Sequence, residues 1–243
     1  MDQLQLPKHV SRIENDECFS FSCHPGVDCF TDCCRQLELA LTPYDILRLK
    51  QETGLHSATF LERYVIQEQD ANEAFPRFYL TMVDDGQASC VFVSDKGCTV
   101  YAGRPGACRT YPMGRAVIRQ DDHSIHDFFV LQKEKHCHGF LEKDPQTAKK
   151  YCLEQGLERY NELNDRVAAL LQHERIRGGK QLTDKETELF VLALYNLDSF
   201  REQLEAGGLP NQEQYLARRE ACTDDEQLLL FAVDWLGNIL FQH

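Results

Sequence analysis

The chain has 243 residues, of which 42% are hydrophobic and 27% charged, and its net charge is −13 at pH 7. That acidity repels phosphate backbones, so a general nucleic-acid binder is disfavoured. No apolar run approaches the roughly 18 residues of a membrane span, and MDQLQLPKHV at the start lacks the basic and apolar segments of a secretory signal. A cytoplasmic protein with no membrane and no nucleic-acid partner is expected.

In chain order, residues 1–17 read as a loosely held lead-in, and the cysteine-rich CHPGVDCFTDCC follows at Cys23–Cys34. LTPYDILRLKQETGL then carries a helix-start signature. Thr42 caps, Pro43 fits the first helical position, Asp45 lies in the first turn, and Gly54 ends the helix. SATFLERYVIQ predicts a second short helix with Phe60, Leu61, Tyr64 and Val65 inward. Between about residues 77 and 132 the pattern changes to β-branched and aromatic runs separated by turn formers such as DDGQ, SDKG and QDDHS. That predicts a small antiparallel sheet with hairpins.

From Asp144 onward the apolar spacing is helical, with a break at Gly178–Gly179. A capping box from Thr183 to Glu186 opens one helix that closes on Gly207–Gly208, and a further cap is expected near Thr223. Tyr195, Phe200, Phe231 and Trp235 recur with leucines at helical spacing and are expected in the core. The fold class is α+β. Residues 1–143 form a cysteine-cluster metal-binding region with a small sheet, and residues 144–243 form a helical region.

Eleven cysteines are too many for an ordinary cytosolic chain, and ten of them precede residue 153. The odd count and a reducing compartment argue against a disulfide framework. A bridge between the neighbours Cys33 and Cys34 would be strained. Metal ligation remains. Eight thiols lie in or near turn-rich stretches: Cys23, Cys29, Cys33, Cys34, Cys90, Cys98, Cys108 and Cys137. Soft thiolates bind zinc, copper(I) and iron–sulfur clusters.

Four thiolates around a dication leave net negative charge, so Arg104 and Arg109, beside Cys108, are expected to donate hydrogen bonds to sulfur. Arg115 and the backbone N–H groups of Gly97, Gly103, Gly106 and Gly114 are further candidates. Cys152 and Cys222 sit on helical patterns and read as small core residues, with Cys18 a weaker instance of the same. Of the histidines near the thiols, His24, His136, His138, His123 and His126, a surface or supporting position is the expectation. Asp84, Asp85, Asp121 and Asp122 read as turn chemistry. There is no G-x-S-x-G elbow and no nucleotide-binding glycine fingerprint.

These residues resemble the YkgJ-like cysteine-cluster family, a zinc- or iron-chelating family related to flagellin lysine N-methylase-type proteins, which share the cysteine pattern. The likeness is carried by Cys33-Cys34, Cys90-Val91-Phe92, CTVY at 98–101, Arg104-Pro105, CRTYP at 108–112 and Cys137-His138-Gly139. The helix after the cysteine pair and the segments LYNLDSFR and DEQLLLFAVDWL extend it. One departure is that gaps of five and three residues separate Cys23, Cys29 and Cys33, where the family has C-x2-C-x2-CC.

The resemblance implies an iron–sulfur cluster or zinc as cofactor. Three functions follow: an iron–sulfur oxidoreductase or electron-transfer protein with a redox partner, a structural zinc protein that binds a protein partner, or a protein-modifying enzyme of the lysine methyltransferase kind. The first is the leading expectation.

Overall fold

The computed structural model describes residues 6–119, 125–211, 213, 222 and 224–241. Strands β1 (Val10–Ile13) and β2 (Cys18–Ser20) come first, and a 3-10 turn spans Asp32–Cys34. Helices α1 (Pro43–Thr53) and α2 (Ser57–Tyr64) are followed by six short strands: β3 (Val65–Glu68), β4 (Arg77–Leu80), β5 (Met82–Val83), β6 (Ser89–Cys90), β7 (Val93–Ser94) and β8 (Gly97–Cys98). After α3 (Gly106–Thr110) come the longer strands β9 (Met113–Arg119) and β10 (Ile125–Gln132), then β11 (Pro145–Thr147). The remaining elements are helices: α4 (Ala148–Glu154), α5 (Leu157–Leu171), α6 (Glu174–Arg177), α7 (Asp184–Leu194), α8 (Leu197–Ala206) and α9 (Asp225–Phe241). The fold is α+β. Among the described residues, no helix is long and apolar enough to cross a membrane.

Two compact units interleave along the chain. One gathers Met1–Leu37 with Met82–Arg159, and the other gathers Glu38–Thr81 with Tyr160–His243. The grouping therefore does not follow one cut at residue 143. Residues 38–81 join the later helices, and buried Lys50 is one reason. Its ammonium lies 2.7 Å from Asp198 Oδ1 and 2.8 Å from Asp225 Oδ2.

The first unit is built on a three-stranded antiparallel sheet in the order β1–β10–β9. The register sets Ile13 opposite Phe129 and Leu131 opposite Met113. These four are buried with Phe19, Phe21, Ala148 and Tyr151. Alternation explains this, since every second side chain of a strand faces the same way. β2 pairs with β11, Cys18 opposite Thr147. Three two-stranded pairs complete the described strands, β3–β4 in the second unit and β5–β6 and β7–β8 in the first. Several small sheets thus replace the one expected, because strands of two residues leave most of the chain between them in turns.

The second unit is mainly helical. The predicted cap is present: Thr42 Oγ1 accepts from Asp45 N–H, the Asp45 carboxylate accepts from Thr42 N–H, and Gly54 closes α1 at φ 66°. Thr183 and Glu186 form the same reciprocal pair at the start of α7. Tyr195, Phe200, Phe231 and Trp235 are buried as expected, and the Trp235 indole N–H donates to the Pro210 carbonyl at 3.1 Å.

Three expected helices are shorter than their sequence patterns. α2 stops at Tyr64 because Val65–Glu68 pairs with Arg77–Leu80. The pattern after Asp144 opens as a strand and breaks at Gly156, where φ is 65°. The run from Thr183 to Gly207 breaks at Tyr195–Asn196. Asp121, Asp122, His123 and the cap near Thr223 lie outside the described residues, as does the side chain of His126.

Candidate metal centre

After β2, the chain from Cys23 to Cys34 winds through successive tight turns. Val27 N–H donates to the His24 carbonyl at 3.0 Å, Phe30 N–H to Val27 at 2.8 Å, Asp32 N–H to Cys29 at 3.0 Å and Cys34 N–H to Thr31 at 2.9 Å. Turns of this kind fold a twelve-residue stretch back on itself without a sheet ladder. A separate turn, in which Cys137 N–H donates to the Glu134 carbonyl at 3.1 Å, presents Cys137.

The result is one small cavity lined by Cys23, Cys29, Cys33 and Cys137, with Phe21, Tyr111, His136 and Gly139 in its wall. Its volume of about 10 Å³ is roughly that of one water-sized sphere. Phe21 belongs to the buried core of the first unit, and Tyr111 and Cys137 pack against that core. Gly139 makes the close approach possible. A Cβ there would lie 2.6 Å from the Phe21 ring and 2.8 Å from the Ser22 carbonyl oxygen. Ser22 N–H also donates to the Gly139 carbonyl at 3.1 Å, tying the two walls together.

The thiols act on one another. Burial, followed by the charges of Cys33, Cys29 and Cys137, pushes Cys23 up to about 11. A hydrogen bond with the Cys34 sulfur is the main cause that raises Cys33, followed by burial. Burial raises Cys137 as well. Hydrogen bonds from the Tyr111 hydroxyl and the Gly139 N–H work in the opposite sense, and Cys29 and Cys33 add to the rise. Crowded thiols resist becoming thiolates together, and a bound cation relieves that repulsion. Peptide donors are already aimed at sulfur, with His138 N–H 3.1 Å from Cys29 Sγ.

A second group of thiols adjoins the first. The isolated antiparallel bridge Arg35↔Ser89 joins the neighbours of Cys34 and Cys90. Cys90 feels the charge of Cys98, and its pKa is raised chiefly by burial while N–H donors of Phe92 and Val93 lower it. Cys108 is exposed in α3 and lies close enough to Arg104 for their charges to interact.

Arg104 and Arg109 organise the loop around Cys108. Arg104 donates to the Tyr101 carbonyl at 2.8 Å and to Gln155 Oε1 at 2.6 Å, with its guanidinium 3.7 Å from the Tyr101 ring centroid. Arg109 donates to the carbonyls of Arg104 and Gln155, each at 3.0 Å, and of Ala102. Arg115 pairs with Asp127 across β9 and β10 at 3.0 Å. Cys152 packs against the core of the first unit, Cys222 is half-buried, and Cys18 is exposed.

Sequence reasoning gave no role to Tyr111, Glu134 or the His138 N–H. Tyr111 was visible only as a letter of CRTYP. Its hydroxyl contacts Cys137 and lies 2.9 Å from Glu134 Oε2. Burial, Cys137 and Glu134 all raise the Tyr111 pKa, so the hydroxyl keeps its proton.

The donor set suits a soft or borderline metal ion: four thiols around a cavity of single-ion size, with N–H groups on sulfur. Among the described residues, no three His, Cys, Asp or Glu side chains stand at the mutual spacing of a ready-made ion site.

Fold and thiols together define an α+β, cysteine-cluster protein of the metal-chelating class. The chain belongs to the CxxCxxCC family, described as "Putative zinc- or iron-chelating domain", which it matches over residues 22–152, more than half its length. The matched span contains all eight candidate ligands, and zinc or iron is the metal that the family implies. No curated protein and no solved structure matches the chain.

Proposed function

We propose that the protein holds one zinc or iron ion through the thiolates of Cys23, Cys29, Cys33 and Cys137. The observation that carries this reading is the lining of a single cavity of about 10 Å³ by those four cysteines. Zinc would supply a tetrahedral crosslink between distant segments, and iron in the same ligand set would add a one-electron couple. The chain's own residues do the rest. Cys23, Cys29 and Cys33 come from one stretch and Cys137 from another more than a hundred residues later. Ligation would therefore staple the start of the family domain to its end. His138 and Gly139 N–H groups take part of the sulfur charge, and Phe21 and Gly139 close the cavity on its core side.

A second reading, an iron–sulfur protein with a redox role, is supported by the continuation of thiols from Cys33 to Cys34, Cys90 and Cys98. Metal and acid-labile sulfide analysis of anaerobically prepared protein separates the two. The first reading expects one ion per chain and no sulfide, lost on Cys33→Ser or Cys137→Ser and kept on Cys18→Ser. Several irons with matching sulfide would overturn it in favour of the second. Retention of metal by both cavity variants would remove this cavity as the site.

A further inference from the structure

A larger cleft opens on the first unit where β1, β2 and the end of β10 meet the turn at His138–Leu141, and it shares no lining residue with the thiol cavity. Its volume is about 370 Å³, within the roughly 300–1,000 Å³ of small-molecule sites. The floor is apolar: Ile13 and Leu131 from one face of the sheet, with Phe19 and Phe140 beside them. The rim is polar. Ser11 stands opposite Leu131 in the strand register, so its side chain is on that same face, and Ser20 borders the cleft from β2. Lys133 is fixed at its backbone, where its N–H donates to the His9 carbonyl at 2.8 Å. Its ammonium lies 5.7 Å from the Phe140 ring centroid, and among the described residues no carboxylate pairs with it. The two serine hydroxyls likewise have no hydrogen-bond partner among the described residues. Arg12, the other cation of the wall, is already engaged, 3.0 Å from Glu14 Oε1 and 4.7 Å from the Phe128 ring centroid. Glu17 adds a carboxylate to the wall, which accepts from Glu14 N–H at 3.2 Å.

We propose that this cleft binds a small organic monoanion, a carboxylic acid with an apolar body, its carboxylate on Lys133 and the two serine hydroxyls and its body on the apolar floor. Charge and surface type decide the class. An unpaired ammonium beside free hydroxyls offers charge-assisted hydrogen bonds to an oxyanion. On a chain of net charge −13 such a cation is a local exception. Glu17 in the same wall repels a second negative charge, which disfavours a phosphomonoester. The floor gains when apolar carbon covers it. An ordinary surface crevice with a solvated lysine would not prefer an acid to its neutral amide. The cleft does not depend on the thiol cavity holding metal.

The test titrates phenylacetate into the full chain by calorimetry, beside phenylacetamide and phenyl phosphate. Cys18, exposed in the cleft wall, reports the place. Bound acid is expected to slow its alkylation by iodoacetamide, read by peptide mass spectrometry, while Cys222 in the second unit is unchanged. Phenylacetate is expected to saturate. Phenylacetamide, and phenylacetate on Lys133→Gln, are expected to bind about tenfold more weakly, the loss of one hydrogen bond to a charged group. Lys133→Arg is expected to stay close to wild type. No saturation up to about 10 mM, equal binding of acid and amide, wild-type affinity in Lys133→Gln, or an unprotected Cys18 would overturn the proposal. Phenyl phosphate binding as tightly as phenylacetate would overturn the monoanion class. If Lys133→Gln fails to fold, the comparison of acid with amide on the wild-type chain decides alone.

Discussion

At Gly139 the side chain is missing for a spatial reason. A methyl group there would meet both an aromatic ring and a backbone oxygen, at 2.6 and 2.8 Å, and the oxygen cannot swing away. Gly139→Ala should therefore lower the stability of the first unit by about 1–3 kcal/mol and weaken metal retention, since the displaced Phe21 forms part of the cavity wall. Thermal unfolding with and without zinc checks both effects. An unchanged midpoint in both states would show that the wall yields freely. The glycine was legible in Cys137-His138-Gly139, but its reason was not. That reason is Phe21, 118 positions earlier in the chain, and only folding brings the two together.

Among the elements, α1 shows how far local chemistry reaches. Its cap, its Pro43 start and its Gly54 stop all follow from neighbouring residues, and all are present. Lys50 is different. Read locally it is a surface lysine in the last turn of a helix. In the second unit its side chain is 7% exposed and held between Asp198 and Asp225, with Arg201 also pairing Asp225 at 2.8 Å. The ammonium is why both carboxyls lie below their ordinary range despite burial, which acts in the opposite direction. Lys50→Ala leaves two half-buried aspartates facing each other and should cost about 3 kcal/mol, measured by urea unfolding. Asp198→Asn in that background should recover part of the loss. If it recovers nothing, the charge pairing is not the cause.

For the whole molecule, pH and metal are linked. Cys23 and Cys152 are each raised from 9.0 to about 11 in the folded chain, so both hold protons more tightly folded than unfolded. Their contribution to the stability of metal-free protein is complete below pH 9 and is lost as pH rises from 9 towards 11. Metal reverses the dependence at the cavity, because ligation displaces the protons. Apparent zinc affinity should rise with pH, with release of up to about four protons, one per thiol. Chelator competition at several pH values, with a pH-indicator count of protons released, checks the sign. Affinity that falls or stays level between about pH 6 and 8, below the ordinary thiol value of 9.0, would rule out thiol ligands.

Sequence alone determined the α+β class, the ends of α1, the start of α7 and the buried aromatics of α7 to α9, because capping and periodic burial act over a few residues. It also singled out the eight thiols, since so many sulfurs in polar turns suit a metal better than a core. It did not divide them. That Cys23, Cys29 and Cys33 share a cavity with Cys137, while Arg35 beside Cys34 bridges Ser89 beside Cys90, depends on turn geometry and strand pairing between residues far apart in the chain. The stop of α2 at Tyr64, where β3 pairs with β4, and the placement of Lys50 between two acids were likewise decided by tertiary structure. There, long-range pairing and packing outweigh helical propensities worth less than 1 kcal/mol per residue.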